Sequence, residues 1–129
     1  MMHLTVKEFK QQKELTRKII RIDPNIRFVG IINSQGKIST GSLRKNIQLK
    51  VPQDQCEMLY MEATLRMRMR QEFDQCLGPV NFCMSHRGNF IITKYPYQKG
   101  IVYVSSDKNF DFAKTPFKII KTIRKFNPA

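Results

Sequence analysis

From Pro79 to Ser105 the chain carries three short apolar runs separated only by turn residues. The runs Pro79–Ser85 (PVNFCMS), Phe90–Lys94 and Ile101–Ser105 are rich in branched and aromatic residues, which suit a pleated, half-buried surface. Between them stand His86-Arg87-Gly88-Asn89 and Tyr95-Pro96-Tyr97-Gln98-Lys99-Gly100, both too short to hold a crossover helix. Strands joined this way run antiparallel, as a meander. The sheet of this chain is therefore antiparallel, and its helices sit before and after strands instead of alternating with them.

The remaining segments supply one hairpin and three helices. Thr5 to Arg21 reads as a helix. Thr5 with Glu8 three residues on matches a capping box, and Asp23-Pro24 stops the helix because the residue before proline avoids the α region. Val6, Phe9, Ile19, Ile20 and Ile22 are its expected buried side. Ile26–Asn33 and Lys37–Leu43, joined by Asn33-Ser34-Gln35-Gly36, form a hairpin. Val51-Pro52-Gln53-Asp54 begins a long helix that runs to Cys76 or Leu77 and ends at Gly78-Pro79. A last helix occupies Ala113 or Thr115 to Phe126, with Phe117, Ile120 and Ile123 inward. Asp107–Asp111 is a loop.

The expectation is one α+β domain over residues 1–129, in the order αββαβββα. A five-stranded antiparallel sheet would carry the long helix on one face and the two terminal helices on the other. That arrangement is tied to one continuous helix over Gln53–Cys76.

The long helix is apolar over more of its surface than one sheet contact requires. Met58, Met61, Leu65, Met69 and Phe73 form one stripe; Cys56, Leu59, Tyr60, Ala63 and Met67 form a neighbouring one. Glu62, Arg66 and Arg70, each four apart, mark the solvated side. A monomer rarely leaves so much apolar surface open, so Met58, Met61, Leu65 and Met69 are the expected dimer or partner interface.

Charge sets the second expectation. The chain has 23 Lys+Arg against 10 Asp+Glu, a formal +13. Such an excess fits either a solvated basic surface or an acidic partner: nucleic acid, an anionic membrane surface or an acidic protein. Candidate contacts are Lys10, Lys13, Arg17 and Arg21 on the first helix, Arg87 at a turn, and Lys114, Lys118, Lys121 and Lys125 along the last helix. Tyr95 and Tyr97, beside Lys94 and Lys99, are candidate exposed rings for base stacking. No recognised nucleic-acid reader motif accompanies them.

Catalytic patterns are missing from the sequence. Ser85 and His86 are strand neighbours that point to opposite faces. Asp107 and Asp111 flank a loop, and Glu57, Glu62, Glu72 and Asp74 read as helix surface. His3 and His86 stand apart from any cysteine or carboxylate cluster, and no Walker or Gly-x-Gly-x-x-Gly pattern occurs. Cys56, Cys76 and Cys83 contain no Cys-x-x-Cys spacing and read as small buried apolar residues. The expectation is a chain with no enzyme activity, cofactor or metal. With no apolar run of about 18 residues and no signal-type start, it is also expected to be cytoplasmic.

The element order and the first hairpin resemble the roadblock family of dynein light chains and the related longin and profilin-like domains. Asp23-Pro24-Asn25-Ile26, then Phe28-Val29-Gly30-Ile31-Ile32, then Gly36-Lys37-Ile38 are similar to that family's opening. The resemblance implies homodimers or heterodimers that join sheet edges and pack their long central helices together, acting as scaffolds or regulators of small GTPases. Two other readings stand beside it: a basic nucleic-acid-binding protein, and a small-molecule sensor of GAF or PAS type, which also flanks a sheet with helices.

Overall fold

A computed structural model of the chain describes residues 4–48 and 51–126. His3 lies outside the described residues. The elements are α1 (Val6–Ile20), β1 (Ile26–Ile32), β2 (Ile38–Leu43), α2 (Gln53–Gln71), α3 (Asp74–Leu77), β3 (Cys83–His86), β4 (Phe90–Tyr97), β5 (Gly100–Asp107) and α4 (Thr115–Phe126). The strands form one antiparallel sheet in the order β2-β1-β5-β4-β3. The hairpin and the meander therefore meet along β1 and β5, from Ile26 opposite Ser106 to Ile32 opposite Ile101.

Alternation along the strands divides the core into two layers. Val29, Ile31, Ile91, Tyr95, Val102 and Val104 pack with Leu15 and Ile19 of α1 and Ile119 and Ile123 of α4. Ile32, Ile101 and Tyr103 pack on the other side with Tyr60, Ala63 and Met67 of α2. The Tyr60 and Tyr103 rings meet edge to face, 5.4 Å between centroids.

The helix starts follow their local chemistry. The Thr5 hydroxyl accepts from the Glu8 backbone N–H at 3.0 Å and donates to the Glu8 carboxylate at 3.1 Å. Ile19 is buried as expected, but Val6 and Phe9 are exposed. The buried side of α1 is Gln12, Leu15, Thr16 and Ile19, because α1 meets the sheet through its later turns. In α4 Ile123 is buried as expected and Ile120 packs partly buried on the core, but Phe117 points outward, and Pro116 and Ile119 are the other buried residues.

The long helix is not continuous. At Phe73 the ladder tightens to a bond from Phe73 N–H to the Arg70 carbonyl, 3.2 Å, and the separate turn α3 follows. Gly78, at φ 86°, ends that turn. No glycine or proline lies between Gln53 and Leu77, so composition gave no sign of the break. The sheet and its layers hold despite it.

The meander also differs at its ends. β3 begins at Cys83, not Pro79, since its first partner on β4 is Lys94. β4 and β5 extend beyond Lys94 and Ser105, leaving Gln98-Lys99 as the turn between Tyr97 and Gly100. Pro96 fits inside a strand here because β3 does not reach it, so its missing N–H falls on an unpaired edge.

Candidate partner interface

At about 100° per residue, Tyr60, Ala63, Thr64 and Met67 share the side of α2 that faces the sheet, and all four are buried. Met58, Met61, Leu65 and Met69 fall on nearly the opposite side. They are 72%, 39%, 50% and 68% exposed. The two apolar stripes are therefore opposed instead of neighbouring. Polar residues occupy the flanks between them, including the Glu62–Arg66 ion pair at 3.5 Å. Phe73, at the helix break, is exposed as well.

The ridge is held from below by two contacts with the β1–β2 turn that the sequence did not reveal. The Arg68 guanidinium donates to the Ser34 carbonyl. Met61 lies over Gly36, close enough that an added Cβ would stand 3.0 Å from the Met61 sulfur. Gly36 is also at φ 79°, where side-chain-bearing residues are strained. Arg44 is a further residue missed from sequence. Its guanidinium bonds the Ile26 carbonyl at 2.6 Å and the Asp23 carbonyl at 2.9 Å, and so ties the end of α1 to β1.

The basic candidates separate into groups. Lys10 and Arg17 on α1 and Arg21 at its end are exposed, as are Lys114 just before α4 and Lys118, Lys121 and Lys125 along it, all on the sheet face opposite α2. Lys13 is drawn down to the Gly41 carbonyl of β2. Arg87 stands on the α2 side, near Tyr103, away from both basic helices. The expected stacking pair is corrected outright: Tyr95 and Tyr97 are buried in the α1–α4 layer, because β4 continues through them and turns both rings inward. Lys94 is buried as well, on the opposite face of the strand. Burial lowers its pKa, and the nearby Glu62 carboxylate opposes that effect.

The cysteines are corrected too. Cys56 and Cys83 are half-buried and Cys76 is exposed, on the short α3 turn. Among the described residues no three His, Cys, Asp or Glu side chains gather as a metal site would require. The His86 ring meets Phe112 edge-on at 5.6 Å. A trough of about 740 Å³ opens between the first turns of α2 and the sheet, walled by Phe28, Leu59, Phe90 and Tyr103, with Met58 at its margin. Arg27 on its rim is engaged by the Gln48 carbonyl at 3.2 Å and by the Phe90 ring. Among the described residues no helix is long and apolar enough to cross a membrane.

Solved structures with a similar fold include a roadblock domain and two MglB proteins. The Roadblock/LC7 domain from Streptomyces avermitilis superposes with a TM-score of 0.65 at 10% identity, over 88% of this chain and 95% of that one. The gliding protein MglB from Thermus thermophilus gives 0.73 at 10% identity, over 95% and 93%. MglB from Myxococcus xanthus gives 0.68 at 11% identity, over 96% and 92%. The fold is thus roadblock-like, at identities that speak for fold alone. No curated protein matches the chain in sequence. A family model matches residues 1–127, and the chain belongs to that family, a family of unknown function (DUF6659).

Proposed function

We infer that this chain is a non-catalytic interaction domain that pairs through α2, as a homodimer, and serves as a scaffold or regulator of a protein partner. One observation carries the reading: α2 buries one apolar stripe on its own sheet and holds a second, opposed stripe in solvent. Methionine adapts to irregular contacts, which suits a surface made for a partner. The roadblock-like fold supplies a geometry in which long helices pack across a two-fold axis. Another MglB structure is described as having a tetrameric arrangement, which fits an assembling fold. A small GTPase is the regulated partner that the resemblance suggests.

Sedimentation tests the pairing. The wild-type chain is expected to be dimeric at tens of micromolar (roughly −6 kcal/mol or tighter). Leu65→Glu changes a symmetric interface twice and buries unpaired charge on both sides, so it should give a folded monomer. Leu65 faces away from the sheet, so circular dichroism of the variant should match wild type. A wild-type chain that remains monomeric, alone and with native lysate, removes the reading. For the partner, pull-down with and without nuclease should recover a GTP-binding protein in both cases.

A further inference from the structure

Two basic stripes face solvent from the same side of the molecule. On α4, Lys118, Lys121 and Lys125, with Lys114 just before the helix, share the side opposite buried Ile119 and Ile123. The sequence of α4 contains no acidic residue. On α1, Lys10, Arg17 and the capping Arg21 share the side opposite buried Leu15 and Ile19, with Glu14 the one acidic residue among them. Lys18 lies 5.2 Å from the Phe126 ring, so the two helices are in contact and their outer sides form one layer. Among the described residues none of these seven cations is in an ion pair; the Glu62–Arg66 pair is on the other face of the sheet.

Each stripe also carries an apolar side chain in solvent. Phe117 follows Lys114 by three and precedes Lys121 by four, which places it on the basic side, 56% exposed, with one edge against Phe82. Val6 precedes Lys10 by four and is 73% exposed. A phosphate chain would satisfy the lysines but offers no apolar medium for Val6. A bilayer surface offers both: anionic headgroups at one depth and the start of the acyl region just below. Lysine predominates on α4, and its compact charge suits mobile anions without a fixed fork geometry.

We propose that the α1–α4 face docks on membranes containing anionic phospholipid, with its cations at the phosphate layer and Phe117 and Val6 set into the headgroup boundary. The surface belongs to one chain and does not depend on pairing through α2.

Co-sedimentation with vesicles tests it, comparing phosphatidylcholine alone with a phosphatidylcholine–phosphatidylserine mixture. The chain should bind the mixture and not the neutral vesicles. Each cation near an anionic surface is worth roughly fivefold in partitioning, so Lys118→Glu with Lys121→Glu should weaken binding by at least about tenfold. Phe117→Ser, which leaves the charge unchanged, should weaken it severalfold. Lys37→Glu with Lys99→Glu, the same charge change at two turns, should weaken it far less. Three results would overturn the proposal: no binding to the mixture at low salt, equal binding to neutral vesicles, or equal losses from the turn and α4 charge changes. It also fails if a duplex oligonucleotide displaces the chain from vesicles while Phe117→Ser has no effect; that outcome would assign the face to nucleic acid. Leu65→Glu should bind vesicles through the same residues, so a failure of pairing and a failure of docking are read separately.

Discussion

The Thr115 hydroxyl donates to the Asp23 carboxylate at 3.0 Å and joins residues 92 apart, the end of α1 to the start of α4. The same carboxylate accepts from the backbone N–H of Asn25 at 2.8 Å and of Asp111 at 3.3 Å. Burial pushes the Asp23 pKa up, but these donors outweigh it and the carboxyl titrates below its ordinary 3.8. A lowered pKa means the native state favours the ionised form. The stability it contributes is present above the unfolded value and is lost as pH falls through the folded one. Denaturant midpoints should therefore drop as pH falls below about 4. Asp23→Ala should lose about 1–3 kcal/mol at neutral pH, because three donors are left without their acceptor, and should flatten that acid limb.

Gly100 separates close approach from ordinary surface. A Cβ there would overlap the Ile32 carbonyl oxygen, whereas one at Gly88 would meet nothing within 4 Å. Gly100→Ala should destabilise at the upper end of the roughly 1–3 kcal/mol that overpacking costs. Gly88→Ala should stay within about 0.5 kcal/mol. Thermal melts of the two variants side by side check this, and equal melting temperatures would contradict the close contact.

All four tyrosines are buried, and burial raises the pKa of each; that of Tyr60 is pushed up to about 12. With raised pKa values the native state favours the neutral phenols, so this stability is intact below about pH 10 and is lost as pH rises beyond it. Ultraviolet difference titration should show no tyrosine ionising near pH 10 in the folded chain. Absorbance should rise only at higher pH or on unfolding. Among these rings Tyr95 is packed on Phe82 and bonded to the Thr93 hydroxyl at 2.8 Å. Tyr95→Ala should cost about 3–5 kcal/mol and Tyr95→Phe about 1 kcal/mol.

Cys76 is exposed while Cys56 and Cys83 are half-buried, with the Cys56 thiol donating to the Val51 carbonyl at 3.5 Å. A thiol reagent should modify one cysteine rapidly in the native chain and the other two slowly. Cys76→Ser should abolish the fast phase. Two fast phases in wild type would show that α2 or β3 opens readily.

Much of the fold follows from nearest-neighbour chemistry, and that part was legible. Strand runs between short turns require an antiparallel meander. Thr5 and Glu8 announce a helix start, and Gly78-Pro79 an end. The spacing of Met58, Met61, Leu65 and Met69 already marked a surplus apolar stripe on α2. What sequence could not supply was which way each stripe faces. The burial of Tyr95 and Tyr97 depends on β4 running past Lys94, and Pro96 is allowed there only because β3 stops short of it. Phe117 and Ile119 differ by two positions, and only the seat of α4 against α1 and the sheet decides which is inside. The break at Phe73 carries no local mark at all. The Arg68–Ser34, Arg44–Asp23 and Thr115–Asp23 contacts join residues far apart in the chain. Periodicity fixes which residues share a face, since that depends on backbone geometry alone; which face meets the core depends on packing between segments, and only the tertiary structure sets it.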